Sequence, residues 1–108
     1  MNLQTFDFNE APVRVMLRDG QPWFVAADVC RVLELTNTSK TCETLDDDEK
    51  GITNGDTLGG AQQMLIISES GLYALVFKSR KPEARKFRKW VTSEVLPALR
   101  STGVYEMP

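Results

Sequence analysis

Lys78, Arg80, Lys81, Arg85, Lys86, Arg88, Lys89 and Arg100 gather eight of the chain's thirteen basic residues between Lys78 and Gly103, opposed there only by Glu83 and Glu94. The 108-residue chain nonetheless carries a formal net charge of −2, so the remainder is acidic. An asymmetry of this kind draws a polyanion to one element without making the protein basic overall. Phosphate is the anion such a run fits best, since each phosphate neutralised releases counterions. A solvated helix face explains the same charges, and the cluster alone leaves both readings open.

Other chemistry is poorly supplied. The chain has no His, and its one dense acidic run, Asp46-Asp47-Asp48-Glu49, consists of four neighbours that cannot all converge on one ion. That run is expected to be a solvated turn, with no metal site. Hydrolysis would need metal-holding carboxylates or a nucleophile beside a base, so no catalytic residue, no cofactor and no enzymatic activity are expected. Cys30 and Cys42 are too few and too widely spaced for a disulfide framework or a zinc site, and two reduced, packed thiols are expected.

The length is that of one domain, and 42% hydrophobic with 26% charged residues is ordinary globular composition. No apolar run approaches the roughly 20 residues a bilayer span needs, and MNLQTFDFNE lacks the features of a secretory signal. A cytosolic protein without a membrane segment is expected.

The elements that must position the cations follow from periodicity. Leu3 to Phe8 reads as an opening strand closed by Asn9-Glu10. Val13, Val15 and Leu17 alternate with Arg14, Met16 and Arg18, a strand with one buried face. Asp19-Gly20 suits a tight hairpin turn, with Gln21 to Val25 as the returning strand. From Ala26 the spacing of Val29, Val32 and Leu33 is helical, with Asp28 in the first turn where the helix dipole favours a carboxylate. Thr36-Asn37 end that helix, and Thr38 or Ser39 is placed to cap a short second one through Leu45. This pair has the outline of a helix-turn-helix, an outline that plain scaffold shares.

Gly51 to Thr57, a Leu58-Gly59-Gly60 turn and Gln63 to Ile67 form a second hairpin. Ser68 caps a helix with Leu72, Leu75 and Val76 on one face, ending near Lys78-Ser79-Arg80. Pro82 opens the last helix. There Phe87, Val91, Val95, Ala98 and Leu99 make a core stripe, Trp90 lies at its edge, placed for core packing or for stacking on a base, and Arg85, Lys86, Arg88 and Lys89 project to the flanks and back. Pro97 should kink or unwind this helix, and Gly103 should stop it. The fold class is α+β: a small, mainly antiparallel sheet from two hairpins, with helices packed on one side.

The strings PWFVAADVCRVLEL and GGAQQMLIISESGLYALVFKSRKPEARKFRKWVTSEVLPALRSTGVY resemble the BRO family N-terminal domain of baculovirus repeated-ORF proteins and phage or prophage antirepressors. SESGLYAL, at a fixed spacing from SRKPEARKFRKWV and EVLP, is the most specific part. The resemblance covers nearly the whole chain, as a single domain over residues 1–108. It implies a small α+β DNA-binding domain, commonly fused to a variable C-terminal domain that would begin about where this chain stops. It also implies phage-type transcriptional regulation in the cytoplasm of a bacterial host. Lys78, Arg80, Lys81, Arg85, Lys86, Arg88 and Lys89 would take over the family's basic region, with Asn37, Thr38 and Lys40 as further contributors. Two partners are then expected in competition: DNA, or a phage repressor protein sequestered without DNA contact. Oligomeric state stays open, a homodimer spanning half-sites being compatible with a domain of this size.

Overall fold

The computed structural model describes residues 3–57 and 60–101. Five strands, β1 (Gln4–Phe8), β2 (Ala11–Arg18), β3 (Gln21–Val25), β4 (Lys50–Thr57) and β5 (Gly60–Ser68), form one sheet of order β1-β2-β3-β5-β4. Every neighbouring pair is antiparallel. The expected hairpin pairings are present, and the opening strand joins β2 through a further tight turn. Asn9 and Glu10 at φ 48° and 71°, and Asp19 and Gly20 at φ 54° and 75°, supply the positive φ that two-residue hairpins need. Of the turn expected between β4 and β5, Leu58 and Gly59 lie outside the described residues, as does Gly103.

Helices cover one face of the sheet. They are α1 (Ala26–Leu33), α2 (Thr38–Cys42), α3 (Glu69–Lys78), α4 (Pro82–Trp90) and α5 (Leu96–Ser101). The main core packs Val13, Val15, Phe24 and Ile67 from the strands against Val29, Leu33, Leu72, Leu75, Phe87 and Leu99 from the helices. The opposite face carries a thin apolar layer of Met16, Val25 and Ile66, flanked by Leu3, Trp23 and Met64. Arg18 lies over the Trp23 ring at 5.7 Å and donates to the Ile52 carbonyl at 3.1 Å, so its stem shields this layer.

Two local expectations are corrected. The first helix stops at Leu33, earlier than Thr36-Asn37, with Glu34 in the left-handed conformation at φ 56°. The second is capped by neither Thr38 nor Ser39: Asn37 Oδ1 accepts the Lys40 N–H at 3.2 Å, and the helix ends at Cys42 rather than Leu45. Asn is the stronger cap and also tolerates the left-handed φ of 57° found there.

Gly71 of SESGLYAL has a packing reason. A Cβ there would lie 2.8 Å from the Glu49 carbonyl oxygen, so α3 approaches the 3-10 turn Asp47–Glu49 more closely than any side chain permits. Ser68 Oγ accepts the Gly71 N–H at 3.1 Å, the expected cap.

Pro97 acts on the turn before it. Val91–Val95 is π-helical, and the Leu96 N–H reaches five residues back to the Val91 carbonyl. Pro97 has no N–H to offer Ser93, which breaks the regular ladder. Thr92 Oγ1 donates to the carbonyls of Arg88 and Lys89 at 3.1 Å each, and Ser93 Oγ to Lys89 at 2.6 Å, so those acceptors stay satisfied. Phe87, Val91, Val95 and Leu99 are all fully buried at a spacing of four. On a regular α-helix that spacing drifts by about 40° per step; the wider turn takes up the drift.

Candidate nucleic-acid interface

The basic segment is held as the corner between α3 and α4. Ser79 pins it: its Oγ donates to the Leu33 carbonyl at 3.2 Å and accepts the Lys81 N–H at 3.3 Å. Pro82 then opens α4, as expected. Ala84 and Phe87 are buried beneath that helix, and Phe87 meets Phe8 edge-on at 5.3 Å between ring centroids. Trp90 joins the same aromatic group, 5.2 Å from Phe8, 5.7 Å from Phe87 and 6.5 Å from Phe6, so it is a packing residue.

The seven sequence-selected cations divide by what they touch. Lys81 pairs with Glu34 at 3.5 Å, both half-exposed, and Lys78 Nζ donates to the Thr44 hydroxyl. Arg80, Arg85, Lys86, Arg88 and Lys89 are exposed, and among the described residues no carboxylate pairs with them. Lys81, Arg85 and Arg88, spaced i, i+4, i+7, follow one flank of α4, while Lys86 and Lys89 lie on its back. That flank faces an open groove of about 570 Å³ against the end of α3, lined by Val76, Phe77, Arg80, Lys81, Arg85 and Arg88 among others.

Phe77, 91% exposed, is the lining residue that sequence reasoning missed. The signal was available: on α3 it falls opposite the Leu72–Leu75 face, an aromatic off the core stripe beside a cationic run. The residues expected to assist from the short helices differ in freedom. Asn37 is occupied as a cap, Thr38 is half-buried, and Lys40 is exposed.

The foundation of α1, which packs against α4, is Asp28. It is 1% exposed and accepts from Arg14 Nε at 2.8 Å, Arg14 Nη2 at 2.9 Å, the Arg14 backbone N–H at 2.9 Å and Arg31 Nη2 at 2.8 Å. Burial alone would raise its carboxyl. The bonds from Arg14, then Arg31, outweigh that and hold it below the usual carboxylate range. Asp28 therefore ties α1 to β2, a larger role than the dipole effect expected of it. Cys30 and Cys42 are free and buried, as expected. The neighbouring Cys30 thiol, then burial, push Cys42 well above the ordinary thiol value. The acidic run forms an exposed 3-10 turn in which the Asp46 N–H donates to Glu49 Oε1 at 3.0 Å. Among the described residues no three His, Cys, Asp or Glu side chains group as metal ligands, and no helix is long and apolar enough to cross a membrane.

An α+β domain with a five-stranded antiparallel sheet, helices on one face and a cationic α3–α4 corner is the class defined by these features. The sequence profile described as BRO family, N-terminal domain, matches residues 12–97, and the chain belongs to that family. It is 44% identical over 112 residues to an uncharacterized protein of Haemophilus influenzae, covering 99% of this chain and 54% of the relative. It is 31% identical over 109 residues to the Bro-N domain-containing protein ORF2 of Autographa californica nuclear polyhedrosis virus, covering 85% of this chain and 33% of the relative. A Bro-N domain-containing protein, 289L, of invertebrate iridescent virus 6 is 26% identical over 122 residues, covering 95% and 29%. The chain thus spans about half or less of the length of these curated relatives. No solved structure matches.

Proposed function

We propose that this domain binds DNA through the outer face of α4 and the turn that feeds it, within a phage- or prophage-type transcriptional regulator of the antirepressor kind acting in the bacterial cytoplasm. One observation carries the reading: among the described residues, Arg80 on the feeding turn and Arg85, Lys86, Arg88 and Lys89 on α4 stand exposed with no carboxylate partner, and the underside of α4 is locked into the core by Ala84 and Phe87. Cations held rigidly and left uncompensated are poised for phosphate, because none must first give up an internal partner. Lys81 and Lys78 are secondary, each exchanging an existing contact. The domain is read as a binding module with no catalytic role.

The test is fluorescence anisotropy with random-sequence and operator duplexes at two salt concentrations. Affinity should fall steeply with salt, with a slope set by the phosphates engaged. A protein that binds no duplex at low salt, yet captures a repressor from nuclease-treated lysogen extract, would replace this reading with a protein-sequestering one.

A further inference from the structure

Among the described residues, Phe77 is out of keeping with the other aromatic side chains. Phe8, Phe24 and Phe87 are buried, Trp90 is stacked among rings, and Tyr73 donates to Glu69, whereas Phe77 is 91% exposed on the last turn of α3. At that exposure both faces of the ring are open. A side chain serving as a platform for one base rests one face on the protein; a side chain free on both faces can be enclosed from both sides.

The surroundings narrow what encloses it. Arg80, Lys81, Arg85 and Arg88 line the groove at its foot, so the occupant must be negative beside an apolar slot. A second copy of this chain using the same patch would bring two sets of cations together, which disfavours it. A base-pair step opened between two backbone phosphates has the required character: flat apolar faces above and below, anions at the rim.

We propose that Phe77 is a wedge that enters between stacked bases of duplex DNA and kinks it, while Arg80, Arg85 and Arg88 hold the phosphates flanking the opened step. This rests on the DNA-binding reading and adds a mode of selection to it. Pyrimidine–purine steps unstack most readily, so the domain gains a sequence preference without reading base edges.

The experiment uses duplexes of about 25 base pairs carrying either a central TA step or an A-tract, with 2-aminopurine at the centre and a donor–acceptor dye pair on the ends. The unmodified chain should brighten 2-aminopurine, shorten the end-to-end distance, and favour the TA duplex. Phe77→Ala should bind about three- to tenfold more weakly with an unchanged salt slope, and lose both signals. Phe77→Leu should restore part of the kink. Because the ring is exposed, Phe77→Ala should melt at the same temperature, and circular dichroism checks this.

Binding by the unmodified chain with a straight duplex and a silent probe overturns the wedge alone. So does full kinking by Phe77→Ala, and so does a Phe77→Ala defect confined to capture of a protein partner. Failure of the unmodified chain to bind any duplex overturns the wedge and the DNA reading together.

Discussion

Replacing Arg85, Lys86, Arg88 and Lys89 together by Gln should remove most of the phosphate binding while strengthening the fold. With Arg80, these make five exposed cations of this corner that pair with no carboxylate among the described residues. If each engages one phosphate, the slope of log affinity against log salt is about −4.5, a loss of about 500-fold between 50 and 200 mM. With Arg80 alone the slope falls to about −0.9, and the same salt step costs about three- to fourfold. Stability moves the other way. Arg85 with Arg88, Arg85 with Lys89, and Lys86 with Lys89 are like charges three or four positions apart, each destabilising by about 0.2–0.5 kcal/mol. Gln has nearly the same helix propensity, so the variant should gain about 1 kcal/mol. Anisotropy at several salt concentrations, paired with thermal melts, reads both quantities. An unchanged slope would refute the assignment of these side chains, and a lower melting temperature would mean that they support the fold rather than burden it.

Glu34→Gln releases Lys81 from its pair, and since an exposed pair is worth at most about 1 kcal/mol, DNA affinity should rise by up to about fivefold at low salt in the same titration. Asp28→Asn leaves Arg14 and Arg31 without their shared carboxylate and should cost about 3–5 kcal/mol by urea unfolding. In the unaltered chain the folded Asp28 pKa is depressed, so its stabilising effect is present above the ordinary carboxylate value and is lost as pH falls through the folded pKa; melting points flat down through the acid range would contradict this. Gly71→Ala must push α3 away from the Glu49 backbone and should destabilise by about 1–3 kcal/mol in chemical denaturation, whereas an unchanged midpoint would show that the close approach relaxes freely.

Much of the fold was legible because its signals are local. Asp19-Gly20, the Ser68 cap and the four-spaced stripe of the last helix each report on a few neighbouring residues and appear where expected, whereas the strand around Val13 to Leu17, expected to bury one face, also buries Met16 on the other. The contacts that assemble the site are not local. Ser79 to Leu33, Lys81 to Glu34 and Asp28 to Arg14 join residues whose proximity comes from α1 packing beside α4 and β2, which periodicity does not encode. The division of the cations into paired and unpaired was therefore invisible in the sequence. Phe77 was legible in principle, but a stripe-based reading follows residues that face inward and passes over an apolar one that does not.

The wide turn at Val91–Val95 indexes the two ends of the last helix to the interior separately. One residue gained or lost between Pro82 and Trp90 would rotate the cations on its far side by about 100°, driving some of them under the helix. The same change beyond Val95 would turn only the distal end and leave the charged surface aimed as before. Length variation among natural versions of this domain should accordingly be purged upstream of the turn and tolerated downstream of it.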